Sequence, residues 1–559
     1  MKGNKLIISG LVAVFVFCSQ EVLAKSFELS GSGALSITQT NINNKTIEDI
    51  PPDLTIGLEY LVNGRFQNLD INSSIELKFN NRDDDWDEIV KSFTFGISNP
   101  RTTLNLGDLY HDISDFTLSE DVSMQFGIHL NQDIRFGEKT ELMLIGGRLQ
   151  EASVYESDDG DGVLEEWEDL NKNGKWDYGY SYYDQWLGGI RLSSSPTKNT
   201  FFGITYLKIN DDKDSIEQKP GTETTPPIKN DIFGIDSAVS FYNHFLTVSG
   251  ELSTARYENV GGVSDHDKAY KFSIKADKKK WNCELGYNHI GTNYYSAASP
   301  YLEVDKEGYF ATYQWLPNDV FSFTLEGEVF EDNLLNDAEY PTTDTKIITT
   351  TFELKPQNYP QIILECELAD ELSGTFTDSY PKLDKFTTDI LLEISHSIKD
   401  TNLVLSFQRT DTNDKSIDSV ATEYEDYKSD IISLTLDTKF AKKYTLSNYV
   451  SYTKNKIDSA DEDDTFNTTE DDTFNTTIDL TYEFKPQKLV FKPGYEFEEY
   501  RVNKSCSSRE FTAKMDVNYY LSTTSQFTFT YERKENKNKE DRSTEYKADV
   551  GTIKYTKVF

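Results

Sequence analysis

The chain has 559 residues, with 95 acidic side chains against 56 Lys and Arg, and its net charge of −39 excludes a nucleic-acid-binding role. Aromatics are abundant, with 33 Tyr and 34 Phe, yet apolar residues make up only 37%, too few for the aliphatic core that a soluble protein of this length needs. Beyond the first two dozen residues the cysteines are Cys283, Cys366 and Cys506, too few and odd in number for a disulfide framework.

The chain opens as a secretory signal over residues 1–24: Lys2 and Lys5 are the basic start, Leu6 to Phe17 the apolar stretch, and Val22-Leu23-Ala24 the small-residue cleavage site. Cys18 follows the bulky Phe15, Val16 and Phe17 where a lipidation signal needs small residues, so no lipid anchor is expected. No later stretch reaches eighteen or so apolar residues, which rules out a helical membrane span. No Pro- or Gly-rich linker divides residues 25–559, which read as one domain.

From Ser26 onward the recurring unit is a run of about ten residues alternating apolar and polar, the period of a strand with one face to lipid and one to water. Leu54 to Tyr60 shows it early; Phe321 to Val329, Ile478 to Phe484 and Phe527 to Tyr531 repeat it. If the apolar face meets lipid, Glu326, Glu328, Asp479 and Glu483 line a lumen. Cys283 alternates with Trp281 and Leu285, and Cys366 with Ile362 and Leu364, so both read as small hydrophobes.

Gly107 to Leu118 breaks the alternation, which predicts a bulge or an inward fold able to narrow the lumen. Short connections, such as Ser195 to Asn199, Lys278 to Lys280, Pro317 to Asp319 and Lys399 to Thr401, alternate with long polar ones. The long ones include Asp211 to Asn230, Tyr257 to Lys268, Gly291 to Lys306, Glu331 to Asp344, Thr410 to Lys428, Asn455 to Thr473 and Arg501 to Arg509. About seven strands precede the acidic stretch 151–180 and about nineteen follow it, which predicts an all-β, antiparallel, up-and-down transmembrane β-barrel of about 26 strands (range about 22–26) with short periplasmic turns and long extracellular loops. An exact tandem repeat, Glu462 to Thr469 followed by Glu470 to Thr477, is expected in one of those loops, where solvated backbone tolerates insertion.

Ser157 to Asp177 is oxygen-rich and contains two loop registers. The first offers Asp159, Asp161, Glu165 and Glu168 around Gly162. The second offers Asp169, Asn171 and Asn173, a turn at Gly174, the carbonyl of Lys175, and Asp177. Calcium takes six to eight hard oxygen ligands, so the spacing has a chemical reason. The segment resembles the tandem calcium loops of thrombospondin type 3 repeats and EF-hand-like loops without helices. It departs from them at Ser157 and Tyr180, where carboxylates are usual. The resemblance implies a structural Ca2+ that stiffens the loop; the alternative is a Gly-punctuated acidic turn cluster without an ion.

No enzyme is expected. His111, His129, His244, His266, His289 and His396 stand in scattered contexts without a nucleophile elbow. Asp265-His266-Asp267 reads as solvated rather than as a metal site.

The chain closes with Ile553-Lys-Tyr555-Thr-Lys-Val-Phe559. A final Phe behind alternating apolar residues resembles bacterial outer-membrane β-barrel proteins of the porin-like superfamily; Lys557 departs from their pattern. The resemblance implies a Gram-negative outer-membrane location and recognition of Phe559 by the barrel-assembly machinery. It also implies contact with outer-membrane lipid and lipopolysaccharide. The leading expectation is a porin-like channel for small hydrophilic, cationic solutes, and the alternative is a calcium-stiffened surface barrel with a structural or ligand-binding, adhesive role.

Overall fold

Strict alternation makes an extended chain two-faced, and a sheet with one apolar face either packs on a second layer or closes on itself. A computed structural model shows closure. It describes residues 28–42, 54–66, 68–80, 90–114, 116–119, 122–134, 138–156, 178–215, 223–224, 227–258, 264–337, 341–373, 382–416, 425–440, 443–460, 466–485, 488–502, 505–539 and 545–558.

Among these residues, 26 strands form one antiparallel sheet in which each strand pairs with its neighbours in chain order. The first, Glu28–Ile42, also pairs with the last, Tyr546–Val558, through Leu35↔Tyr555 and Ile37↔Ile553. Thr38 and Thr552 share a hydroxyl hydrogen bond of 2.9 Å beside that seam, and Lys554 reaches Glu59 two strands away at 2.8 Å. No barrel edge is left open. Seven barrel strands precede residue 151 and nineteen follow residue 183, as the alternation of connections predicted. If circular, a barrel of this size is about 50 Å across at the backbone, from a strand spacing of about 4.8 Å and a tilt of about 40°.

The register assigns each position to a face. Along Phe321–Glu331, Thr324, Glu326 and Glu328 stand opposite Gln314, Thr312 and Phe310, while Phe323, Leu325 and Val329 stand opposite Trp315, Tyr313 and Tyr309. The second set is the outer one. Following the ladders round the barrel, that outer face carries Leu35, Phe202, Phe233, Phe272, Ile348, Leu405, Ile432, Phe529 and Ile553, all exposed. Cys283 and Cys366 share it and are half-buried. Glu326, Glu328, Asp479 and Glu483 share the inner face, as expected from the sequence.

Short turns gather at one rim and long connections at the other. Several strands run further into the long-loop rim than the sequence suggested. Leu246–Glu258 and Ser264–Lys278 absorb much of the expected 257–268 loop, and Leu489–Val502 and Ser505–Ser522 almost all of 501–509. The octapeptide repeat is likewise not confined to a loop. Its second copy and the end of its first lie within the 20-residue strand Phe466–Lys485, paired through Thr473↔Thr453, Phe474↔Tyr452 and Asn475↔Ser451. The physical reason is that Thr-Phe-Asn-Thr itself alternates, placing Phe474 outward and Asn475 inward. The wall is tallest here: 20 residues at about 3.3 Å each, tilted about 40°, rise about 50 Å, twice the apolar band of a typical membrane barrel.

A second, three-stranded sheet sits at the long-loop rim. Ser153–Glu156 pairs antiparallel with Tyr178–Tyr182, which pairs in parallel with Glu223–Thr224. It joins the two ends of the acidic stretch. Residues 1–27, which include the expected signal, residues 157–177 and Phe559 lie outside the described residues.

Candidate functional site

The site is the lumen, and it is built unequally around its circumference. On one arc, spanning the strands from Lys139–Gln150 to Trp281–Ile290, inward positions are apolar near the long-loop rim: Leu187, Leu207, Ile209, Ile232, Ala255, Ala269 and Ile290. Two connections fold onto them, the described residues of 111–122 and residues 291–305, contributing Phe116, Leu118, Val122, Tyr294, Ala297 and Ala298 to one buried cluster. Residues 111–122 leave the wall at Tyr110 and touch strands several places further round. A segment bridging an arc in that way runs as a chord on its inner side, which fixes the polar face as the lumen.

The chain turns inward at Gly107. Its φ of +107° suits glycine, and a Cβ there would lie 1.9 Å from the Phe93 carbonyl oxygen. The Asp108 carboxylate accepts the Phe93 N–H at 2.8 Å, and the register shifts between Gly107 and Leu109, which brings Leu109 into the core. The broken alternation seen in the sequence is therefore an inward fold.

Polar ties hold the plug. Asn230, fully buried, donates to the carbonyls of Arg256 (3.2 Å) and Tyr295 (3.0 Å) and accepts the Ala297 N–H at 2.9 Å. The Tyr294 hydroxyl donates to the Phe116 carbonyl at 2.5 Å and also contacts Ser253 Oγ at 2.8 Å; burial raises its pKa. Ser296 donates to the Thr117 carbonyl at 3.0 Å, and the Ser119 N–H to the Ala298 carbonyl at 3.1 Å. The Thr117 methyl occupies the space beside Gly234 that a Cβ would fill. At the base of the plug the His111 and His129 rings lie 3.9 Å apart, each with a buried Nε2 lacking a hydrogen-bond partner. Burial lowers the His111 pKa.

Asp305 staples the second plug segment to the next connection, accepting Thr292 Oγ1 at 2.6 Å, the Leu334 N–H at 2.9 Å and the Asn333 N–H at 3.1 Å. By sequence, Gly291 to Lys306 reads only as one more long polar connection, not as a segment folded into the lumen. A usable signal was there: unlike the other long connections, 291–302 contains no charged residue.

The rest of the circumference is different. Outside the plug cluster, the buried apolar residues among those described are only Ala34, Tyr183, Val490 and Ala548. From Phe321–Glu331 to Asp384–Ile398 the inner face presents Glu326, Glu328, Glu353, Glu365, Glu367, Glu371, Asp389 and Glu393 against one inward strand lysine, Lys385. Hydroxyls and amides hydrate part of this row: Thr349 donates to Glu367 at 3.1 Å, Thr410 to Asp389 at 3.1 Å and Ser322 to Glu353 at 3.0 Å. Glu326 and Glu328 are exposed to the lumen.

The nine candidate calcium ligands, Asp159, Asp161, Glu165, Glu168, Asp169, Asn171, Asn173, Lys175 and Asp177, lie outside the described residues. Asp265 and Asp267 point inward and His266 outward, so the triplet is divided between two faces. Among the described residues no three His, Cys, Asp or Glu side chains form a metal-binding group.

No protein-family model matches the chain, and no curated protein matches it in sequence. Solved structures with a similar course include the siderophore receptor PirA from Pseudomonas aeruginosa, at 9% identity and a TM-score of 0.42 over 95% of this chain and 80% of that one. OccAB3 of Acinetobacter baumannii gives 11% identity and 0.29 over 95% and 100%, and the carbohydrate-binding barrel Wzi of Escherichia coli 10% and 0.32 over 65% and 84%. Likenesses at this level decide nothing about the chain's activity; its fold rests on the closure of its own strands.

Proposed function

We propose that the chain is a bacterial outer-membrane barrel forming a water-filled channel for small hydrophilic solutes, with a preference for cations. The carrying observation is that, among the described residues, extended apolar packing inside the barrel gathers on one arc, while the arc from Phe321–Glu331 to Asp384–Ile398 is lined by carboxylates and hydroxyls. A wall apolar outside and polar inside matches hydrocarbon on one side and water on the other. Fixed carboxylates raise the local concentration of cations and repel anions. The plug narrows a lumen whose bare width would admit far more than small solutes.

Planar-bilayer recording tests this reading. Discrete conductance steps with a reversal potential favouring K+ over Cl− in a KCl gradient are expected; a folded, inserted barrel that passes no current would refute it.

Calcium binding in residues 157–177 is a separate proposal resting on the sequence. Asp159, Asp161, Glu165 and Glu168 in one register, and Asp169, Asn171, Asn173, the Lys175 carbonyl and Asp177 in the other, supply hard oxygens at alternate positions. The ion would stiffen the loop and take no part in transport.

A further inference from the structure

We infer that the outer wall carries a binding site for a phosphorylated, acylated lipid, centred on Arg256, His266 and Lys268. The site is a groove of about 610 Å³ on the outer face near the long-loop rim, bordered also by Tyr206, Asp231 and Phe233. The ladders place its parts in rows. Tyr206, Phe233, Thr254 and Lys268 are successive cross-strand neighbours, and one row nearer the rim so are Lys208, Asp231, Arg256 and His266. One row further from the rim lie the outward Leu252 and Tyr270, and below them Phe272.

The chemistry is two-part. Cations cap the groove, and aromatic and aliphatic side chains continue below it into the apolar band, the order met by an anionic headgroup with its chains beneath. Several cations elsewhere on the outer rim are neutralised within the wall: Arg148 by Glu151 and Asp184, Lys454 by Glu470, Lys456 by Asp458, and Arg501 and Arg509 by Glu499. Among the described residues Lys208, Arg256 and Lys268 form no ion pair, although Asp231 sits between Lys208 and Arg256 in register. That carboxylate instead accepts the Tyr206 hydroxyl at 2.8 Å. Lys268 rests over the Tyr270 ring, 5.7 Å from its centroid, leaving its ammonium hydrogens for an external acceptor. On a protein of net charge −39, unpaired outward cations above an apolar groove select an anion, and the chains below select a lipid over a free anion.

This rests on the membrane-spanning reading of the barrel, and the two fail separately: a protein that does not insert gives no conductance, whereas a conducting one can still lack the lipid site. The test uses the full-length barrel in detergent micelles, titrated with diphosphoryl lipid A and followed by native mass spectrometry. Wild type should bind it and lose about tenfold in affinity when the lipid is dephosphorylated, the scale of lost charge-assisted contacts. Arg256→Gln with Lys268→Gln should lose about as much, Arg256→Lys with Lys268→Arg should retain binding, and Lys454→Gln with Arg501→Gln on the paired arc should change nothing. Equal binding of phosphorylated and dephosphorylated lipid by the wild type overturns the site without any variant. So does displacement of the lipid by millimolar inorganic phosphate.

Discussion

The plugged arc and the acidic arc are made of the same strand, alternating, antiparallel and aromatic on its outer face, yet their inner faces share almost nothing. Leu207 and Ile209 face inward on one, Glu365 and Glu367 on the other. The outward face obeys one solvent all the way round. The inward face obeys whatever touches it: where the segments around Phe116 and Tyr294 dock, inward side chains are aliphatic, and where none of the described segments docks, acids and hydroxyls prevail. The plug and the acidic row thereby occupy neighbouring but separate arcs of one lumen and can be perturbed separately.

The largest effect should come from dissolving the plug. Phe116→Asp with Leu118→Asp would bury two unpaired carboxylates, a cost of several kcal/mol that docking cannot absorb. Conductance should rise about severalfold with cation preference retained; an unchanged conductance would remove the plug from the conduction path. Next, Glu326→Gln, Glu365→Gln and Glu367→Gln together should lower the K+/Cl− permeability ratio about two- to threefold in dilute salt. Little should change in molar salt, where the Debye length is about 3 Å. Equal ratios for mutant and wild type would mean that the acidic arc does not face the permeating ions.

Asn230→Ala should act on docking alone. It deletes three hydrogen bonds and orphans the groups that made them, a loss of about 2–3 kcal/mol, read as faster amide exchange over residues 291–302 with strands elsewhere unaffected. A smaller effect concerns pH. Because burial holds His111 below its ordinary 6.5, an undocked segment takes up a proton at a pH where the docked one does not. Docking is at full strength above pH 6.5 and weakens as pH falls from there towards the docked value. Exchange over 111–119 should accelerate between neutral and mildly acidic pH, and His111→Asn should flatten that slope. Least of all should change with calcium. Tb3+ luminescence sensitised by Trp167 or Trp176 should appear and be abolished by Asp169→Ala with Asp177→Ala, leaving conductance as it was. No luminescence in the wild type would end the calcium proposal.

The strand count and the inward acids were legible because alternation and tight turns are local signals; a residue two positions along shows its face without knowledge of its partner strand. The inward turn at Gly107 was legible as an interruption, though not its destination. What docks on what was not legible. Asn230 reads as an ordinary polar residue beginning a strand, and its role depends on Tyr295 and Ala297, some 65 residues away and brought near only by barrel closure. Two hints did exist, the uncharged run 291–302 and the apolar inward positions Leu207 and Ile209, which leave that strand greasy on both faces. The strand ends were misjudged for another reason. Charged, alternating residues such as Lys454, Lys456, Glu470 and Asp472 resemble a loop in composition, but cross-strand pairing, with an ion pair between Lys454 and Glu470, extends the ladder beyond the apolar band.

The octapeptide within Phe466–Lys485 bears on how such a wall can change over generations. Copying an even count of residues lengthens a strand without rotating anything after it, so a slippage event of this size is silent for every downstream side chain. An odd count would exchange oil for water along the remainder. Height above the bilayer is therefore a trait that replication errors can adjust in steps of two residues, while girth can grow only by whole hairpins.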